Sequence, residues 1–414
     1  MSSQITLQHP TKKIHAEIVL NGSKSIANRA LLIQALCLQD FHIDNLPNAA
    51  DTIFLQKCLQ NKDVNIFAGA GGTTYRFLTA FYAVQEGRTV LLSGTERMHQ
   101  RPIKVLVDAL QQLGADISYT EGNGYPPLLI KGKKLHGGTL SIPANVSSQF
   151  ITALLLIAPT FSEGLTLHLT GTVVSLPYIQ MTLSLIRFFG IDAKIDGSTI
   201  FVKNGCYKSR DFYVEADWSA ASYFYSMAAL ADEADIILHG LELHSTQGDA
   251  IIAYIYNDFG VNTDYGKQQI RITKKANFVI PSNYRYDFLQ CPDLAQTVIS
   301  CCAALDIEAN FQGLQTLMIK ETDRVHALDT ELSKIGYSLH SIGENSWQLA
   351  KSVSKQNILT PTFDTYEDHR MAMCLAPLSL QIGQLIINEP EVVEKSYPDY
   401  WRDISTCGFK VETH

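Results

Sequence analysis

Basic charge is in deficit in this chain of 414 residues: 33 Lys and Arg stand against 41 Asp and Glu, for a net charge of −8. An acidic protein is a poor general binder of nucleic acid or of anionic membrane, so any anion it holds must meet cations gathered locally. Long apolar runs are also missing. The longest, ITALLLIAPTF, is shorter than a bilayer and contains Pro159, so no membrane span is expected. The start, MSSQITLQHPTKK, has no apolar core of a secretory signal. Eight cysteines are scattered at 37, 58, 206, 291, 301, 302, 374 and 407 without a C-x-x-C pair, which predicts reduced, mostly buried thiols and a cytoplasmic location. G-x-S-x-G and H-E-x-x-H do not occur, and none of the twelve histidines sits in a nucleophile–base pattern. Covalent serine or cysteine catalysis and a metal site are therefore without support.

What is present is a globular composition, 46% apolar and 18% charged, in a chain long enough for two domains of roughly 200 residues each. A weak repeat organises it. An amphipathic helix, a glycine and a strand recur in LVDALQQLGADI, LSLIRFFGIDA, IAYIYNDFGVNT, TELSKIGYSL and RDISTCGFKV. The closing glycines, Gly114, Gly190, Gly260, Gly336 and Gly408, lie 70 to 76 residues apart, and glycine past a helix accepts the left-handed backbone that ends it. A degenerate sixth copy is FLQKCLQNKDVNI, with Asn61 in the capping position. Each unit also holds a helix rich in small residues that opens on a polar cluster, as in GSKSIANRALLIQALCL, VSSQFITALLLIAP and DWSAASYFYSMAAL. Alanine-rich faces allow close packing, so these helices are expected to form an inner layer. Ordinary αβ loops also give helix–glycine–strand, but the narrow spacing along the whole chain favours a true repeat of six units, three to a domain.

The polar clusters open those helices. Gly22-Ser23-Lys24-Ser25 with Asn28-Arg29 joins free backbone N–H groups to hydroxyls and cations, a combination suited to phosphate or carboxylate. A serine-capped helix with solvated charges fits as well. Gly69-Ala70-Gly71-Gly72-Thr73-Thr74, followed by Arg76, permits close backbone approach but lacks the third glycine of a dinucleotide fingerprint. Val146-Ser147-Ser148-Gln149 and Ser175-Leu176-Pro177-Tyr178 read equally as helix caps. Lys320-Glu321-Thr322-Asp323-Arg324 places cations against the positive end of a helix, which suggests an anion nearby. Glu367-Asp368-His369-Arg370 opens another helix, and Lys395 lies beside a turn in EKSYPDYW.

Together, GSKSIANRALL, GTTYRF, QRPIKVLVDAL, VSSQFITALLL, SLPYI, DWSAASYF, PDLAQT, KETDR, DHRMAM and KSYPDYW resemble, in order and spacing, the 5-enolpyruvylshikimate-3-phosphate synthase family. The resemblance runs over residues 15 to 405. It implies an α/β fold: a two-domain inverted (inside-out) α/β barrel with three helix–strand repeat units per domain. The first domain is expected at 14–216, mainly on the shikimate 3-phosphate side, and the second at 1–13 and 217–414, with much of the phosphoenolpyruvate side. The implied acceptor site is Ser25, Arg29, Ser147, Ser148, Gln149, Ser175 and Lys320. The implied phosphoenolpyruvate site is Lys24, Gly72, Arg101, Arg324, Arg370 and Lys395, with Lys24 and Gln149 near both ligands. Asp293 resembles the base that takes the proton of the attacking 5-hydroxyl, Glu321 the acid that protonates the methylene carbon, and Lys24 joins them as a catalytic residue.

The resemblance further implies transfer through a non-covalent tetrahedral intermediate, without metal or cofactor, by a cytoplasmic monomer of chorismate and aromatic amino acid biosynthesis. Two carboxyls manage the protons, fixed cations meet the changing phosphate charge, and the substrates draw the domains together. Seven cations against two carboxylates leave a surplus near the roughly five to six negative charges that two phosphorylated carboxylates bring. Asn21, Ala70, Leu176 and Thr316 depart from the family pattern and bear on affinity more than on the reaction. The UDP-N-acetylglucosamine enolpyruvyl transferases resemble the chain less: they carry Lys-Asn where Lys24-Ser25 stands and usually a cysteine where Glu96 to Gln100 have none. A non-catalytic sensor of phosphorylated metabolites would have no use for an acid and a base.

Overall fold

The structure, a computed structural model, describes residues 3–145, 147–352 and 359–414. The chain forms two compact units: Ser23–Val214, the inserted unit, and Met1–Gly22 with Glu215–His414, the terminal unit. The first crossing falls nine residues later than the sequence suggested, and the return two residues earlier, after Val214 rather than residue 216. Residues 14–22 stay with the terminal unit because Lys13–Val19 pairs in parallel with Glu233–His239 at all seven positions.

One module is repeated. In its clearest form it runs strand Asn65–Phe67, helix Gly72–Ala83, strand Thr89–Ser93, helix Lys104–Gln112 and the hairpin strands Asp116–Tyr119 and Leu128–Lys131. The sheet order is first, second, fourth, third; the first pair is parallel and the others antiparallel. The same order recurs in the sheets that begin with Gly138–Pro143, Lys13–Val19, Asn283–Asp287 and Thr362–Phe363. In the last of these the N-terminal strand Gln4–Gln8 supplies the fourth position. The sixth module differs: Ile43–Asp44 pairs only with Phe212–Tyr213, and among the described residues there is no hairpin. Its helix Ala50–Gln60 ends at Asn61, whose φ is −72°. The five glycines adopt φ of 77° to 98°, so Asn61 caps without the left-handed turn. The chain there continues directly into Asn65–Phe67 instead of folding back as a hairpin.

The layers follow from side-chain patterning. Strands such as Leu165–Thr170 bury alternate residues, Leu165, Leu167 and Leu169, as a half-covered sheet requires. The first helices of the modules are buried almost all round, as in Ser148–Ile157 and Ala295–Ala304, and belong inside. In the inserted unit Lys24–Leu36, Gly72–Ala83 and Ser148–Ile157 pack on one another; in the terminal unit Trp218–Leu230, Ala295–Ala304 and His369–Leu375 do the same. Each unit has its own apolar core. Among the described residues no helix is long and apolar enough to cross a membrane.

Candidate active-site residues

Two clusters of functional groups form near the starts of the inner helices, one per unit. In the inserted unit Lys24 opens the Lys24–Leu36 helix, and its Nζ donates to Asp51 Oδ2 at 3.0 Å. Asp51 lies in the first turn of Ala50–Gln60, and its carbonyl accepts from Thr74 Oγ1 at 3.1 Å. The glycines here allow close approach: a Cβ on Gly71 would lie 2.6 Å from Asp51 Oδ1, and one on Gly72 would lie 2.7 Å from Arg101 Nη1. Arg101 is itself buried, so its guanidinium rests on the bare backbone that starts the Gly72–Ala83 helix.

Arg29, one turn beyond Ser25, is 3% exposed. Its Nη1 donates to the Ser25 carbonyl at 2.6 Å, its Nε to Thr182 Oγ1 at 2.8 Å and its Nη2 to Thr152 Oγ1 at 3.4 Å. Thr182 Oγ1 in turn donates to the Tyr178 carbonyl at 2.7 Å, which leaves its oxygen to accept from Arg29. All these partners are neutral, and burial pushes the guanidinium down to about 10; it remains a cation at neutral pH. Arg76 Nη1 donates to Gln149 Oε1, and its guanidinium lies 4.8 Å from the Phe150 ring centre. Ser147 caps the Ser148–Ile157 helix by accepting from Gln149 N at 3.3 Å; Val146 lies outside the described residues. Ser175 takes φ 55° before Leu176–Phe188, its hydroxyl making no cap bond. That helix carries Tyr178 and Thr182, which ties Ser175 to the surroundings of Arg29.

In the terminal unit the buried Arg324 is the hub. Its Nε and Nη2 meet Asp368 at 2.7 and 3.3 Å, its Nη2 meets Glu321 Oε2 at 2.9 Å and its Nη1 meets Asp293 Oδ1 at 3.3 Å. Asp368, fully buried, also caps His369–Leu375 through Arg370 N at 2.9 Å. Arg370 Nη2 reaches Asp293 Oδ2 at 3.1 Å, and Lys320 Nζ stands 3.5 Å from Asp293 Oδ1. Lys395 Nζ donates to Glu321 Oε1 at 3.1 Å. Burial alone would push the Asp293 carboxyl up, but Arg370, Lys320 and Arg324 together hold it well below the usual carboxylate range. Burial pushes the Lys320 ammonium down, with Asp293 opposing.

Thus Lys24, Ser25, Arg29, Gly72, Arg101, Ser147, Ser148, Gln149 and Ser175 fall in the inserted unit, and Asp293, Lys320, Glu321, Arg324, Arg370 and Lys395 in the terminal one. Three carboxyls were missing from the sequence tally of charge. Asp51 pairs with Lys24 and Asp368 with Arg324. Asp249, which accepts from Ser219 Oγ, is pushed up to about 7 by burial and by the Asp293 charge. The surplus of cations is correspondingly smaller than seven against two. Asp368 was visible inside a charged cluster, whereas Asp51 and Asp249 belonged to none of the motifs singled out in the sequence. Among the described residues no group of His, Cys, Asp and Glu could hold a metal ion.

This arrangement can move protons at Asp293 and Glu321 and present cations to anionic substrates. Comparison with known proteins gives the family. The family profile of EPSP synthase (3-phosphoshikimate 1-carboxyvinyltransferase) matches residues 8–61 and 54–404. A protein of that name from Bacteroides fragilis (strain YCH46) is 45% identical over 403 residues, 97% of each chain. One from Colwellia psychrerythraea (strain 34H) is 34% identical over 96% of this chain and 98% of its own. An EPSP synthase structure from Acinetobacter baumannii, 20% identical, superimposes with a TM-score of 0.77 over 100% of both chains, which speaks for the fold. With its modules, its two clusters and a profile match along nearly its whole length, the chain belongs to the EPSP synthase family.

Proposed function

We propose that the protein transfers the enolpyruvyl group of phosphoenolpyruvate to the 5-hydroxyl of shikimate 3-phosphate and releases phosphate. The observation that carries this reading is the placement of Glu321 between Lys395 and Arg324, beside Asp293 framed by Arg370, Arg324 and Lys320. An acid and a base are thereby surrounded by four cations suited to carboxylate and phosphate.

In this mechanism Glu321 donates a proton to the methylene carbon of phosphoenolpyruvate. The central carbon gains cationic character, and the acceptor 5-hydroxyl adds to it while Asp293 takes the hydroxyl proton. Loss of a methyl proton to the Glu321 carboxylate then restores the double bond as phosphate leaves with its C–O electron pair. Lys24, Arg101, Arg324, Arg370 and Lys395 meet the phosphoenolpyruvate anion. Ser25, Arg29, Ser147, Ser148, Gln149, Ser175 and Lys320 meet the acceptor. Asp293, held ionised by its cations, gains basicity when substrate anions share those cations. The same reading takes the protein to be a cytoplasmic monomer of aromatic amino acid biosynthesis.

The test is phosphate release with both substrates present. Glu321→Gln is expected to lower kcat by roughly 10²–10⁴-fold while shikimate 3-phosphate binding stays within a few-fold; an unchanged rate would reject the acid role. Turnover of UDP-N-acetylglucosamine alone, with shikimate 3-phosphate inert, would overturn the choice of acceptor.

A further inference from the structure

The one module without a hairpin leaves a gap that the other five define. In each complete module the second strand has a partner on both edges, and the outer partner is antiparallel. In the incomplete module Ile43–Asp44 has one partner. The carbonyls of His42 and Asp44 accept from Phe212 N and Val214 N at 2.9 and 3.0 Å, which turns the N–H and C=O of Ile43 toward the opposite edge. Among the described residues no strand pairs there. A cavity of about 480 Å³ lies at this place, walled by Asp40 to Ile43, Leu46 and the two helices of the module, Lys24–Leu36 and Ala50–Gln60. Its apolar surface comes from Leu31, Phe41, Ile43, Leu46 and Leu59.

We propose that this groove receives an extended strand of another protein, laid antiparallel to Ile43–Asp44, with apolar side chains at two alternate positions and a lysine or arginine close by. The complete modules specify that chemistry. Their outer strands bury alternate apolar pairs, such as Leu128 and Ile130, Ile270 and Ile272, or Trp347 and Leu349. Four of the five carry a lysine at or just past their end: Lys131, Lys203, Lys274 and Lys351. The open edge is complementary in charge. Asp40 and Asp44 are exposed beside it, bonded to Phe41 N and His42 Nε2, while Asp211, also exposed, accepts from His42 N on the paired side. Among the described residues none of the three forms an ion pair with lysine or arginine. Adding a strand to an unpaired edge is a general mode of peptide recognition, in which the backbone supplies affinity and alternate pockets supply specificity. A second copy is the poorer occupant: two such edges meeting would pair only two residues from each and leave both cavities unfilled.

The probe is a labelled peptide with the sequence of residues 267–274, KQQIRITK, one of the chain's own outer strands, titrated into the full-length protein. For an edge this short a dissociation constant on the order of 100 µM is expected, with slowed amide exchange at Ile43. Serine at both isoleucines of the peptide should weaken binding at least ten-fold. So should Ala35→Trp, which fills the groove from an exposed helix position and should leave enolpyruvyl transfer unchanged. Gln60→Trp, on the other helix, reads the same effect should Ala35→Trp fail to fold. Absence of saturable binding up to about 2 mM, more than ten-fold above that constant, overturns the proposal, as does equal binding by both tryptophan variants. A concentration-dependent dimer that protects Ile43 without peptide would also overturn it, by assigning the groove to a second copy.

Discussion

Asp368 offers the sharpest quantitative test of the terminal-unit cluster. It is fully buried, faces Arg324 through two contacts of 2.7 and 3.3 Å, and caps a helix through Arg370 N at 2.9 Å. Removing one member of a buried pair usually costs about 3–5 kcal/mol, because the other charge is left uncompensated. Arg324 would keep Asp293 at 3.3 Å and Glu321 at 2.9 Å. That places Asp368→Asn at the lower end of the range, about 3 kcal/mol. Asparagine still caps a helix, whereas alanine does not, so Asp368→Ala should cost about 1 kcal/mol more. All three tryptophans, Trp218, Trp347 and Trp401, lie in the terminal unit. Urea unfolding followed by tryptophan fluorescence therefore reports on that unit even if the two units unfold separately. A loss below about 1 kcal/mol for Asp368→Asn would refute a burial-amplified ion pair, and equal losses for the two variants would refute the cap.

Other perturbations probe neighbouring groups. Gly72→Ala is compatible with its backbone but drives a methyl group to within 2.7 Å of Arg101 Nη1; the phosphoenolpyruvate KM should rise at least roughly ten-fold, the equivalent of about 1.4 kcal/mol, with the unfolding midpoint preserved. Lys395→Ala should weaken phosphoenolpyruvate more than shikimate 3-phosphate, and equal weakening in binding titrations would count against the assignment. Asp249 is raised to about 7 in the folded protein from an unfolded value of about 3.9. The native state therefore binds the extra proton, and its advantage is full below about pH 4 and lost as pH rises through about 7. Asp249→Asn should flatten the dependence of stability on pH across that window and gain most near pH 7.5; melting curves at pH 5 and 7.5 check the sign.

The module was legible in the sequence because its signals are local. A glycine such as Gly190 closes a helix by its own backbone freedom, and alternation in LTLHLT or small residues in SAASYFYSMAAL declare a strand or an inner helix within a dozen residues. The motifs that carry Lys24, Lys320, Glu321, Arg324 and Arg370 are likewise contiguous. The partners of those groups are not. Asp51 meets Lys24 across 27 positions, Asp368 meets Arg324 across 44 and Lys395 meets Glu321 across 74. Only the folded backbone sets such distances, and with them which cations are already compensated. The handover at Gly22 also depended on a strand at 13–19 finding its parallel partner at 233–239. Helix, strand and candidate chemistry were thus written residue by residue, whereas charge balance, unit boundary and the unpaired edge at Ile43 arise from contacts between segments remote in sequence, which no local propensity encodes.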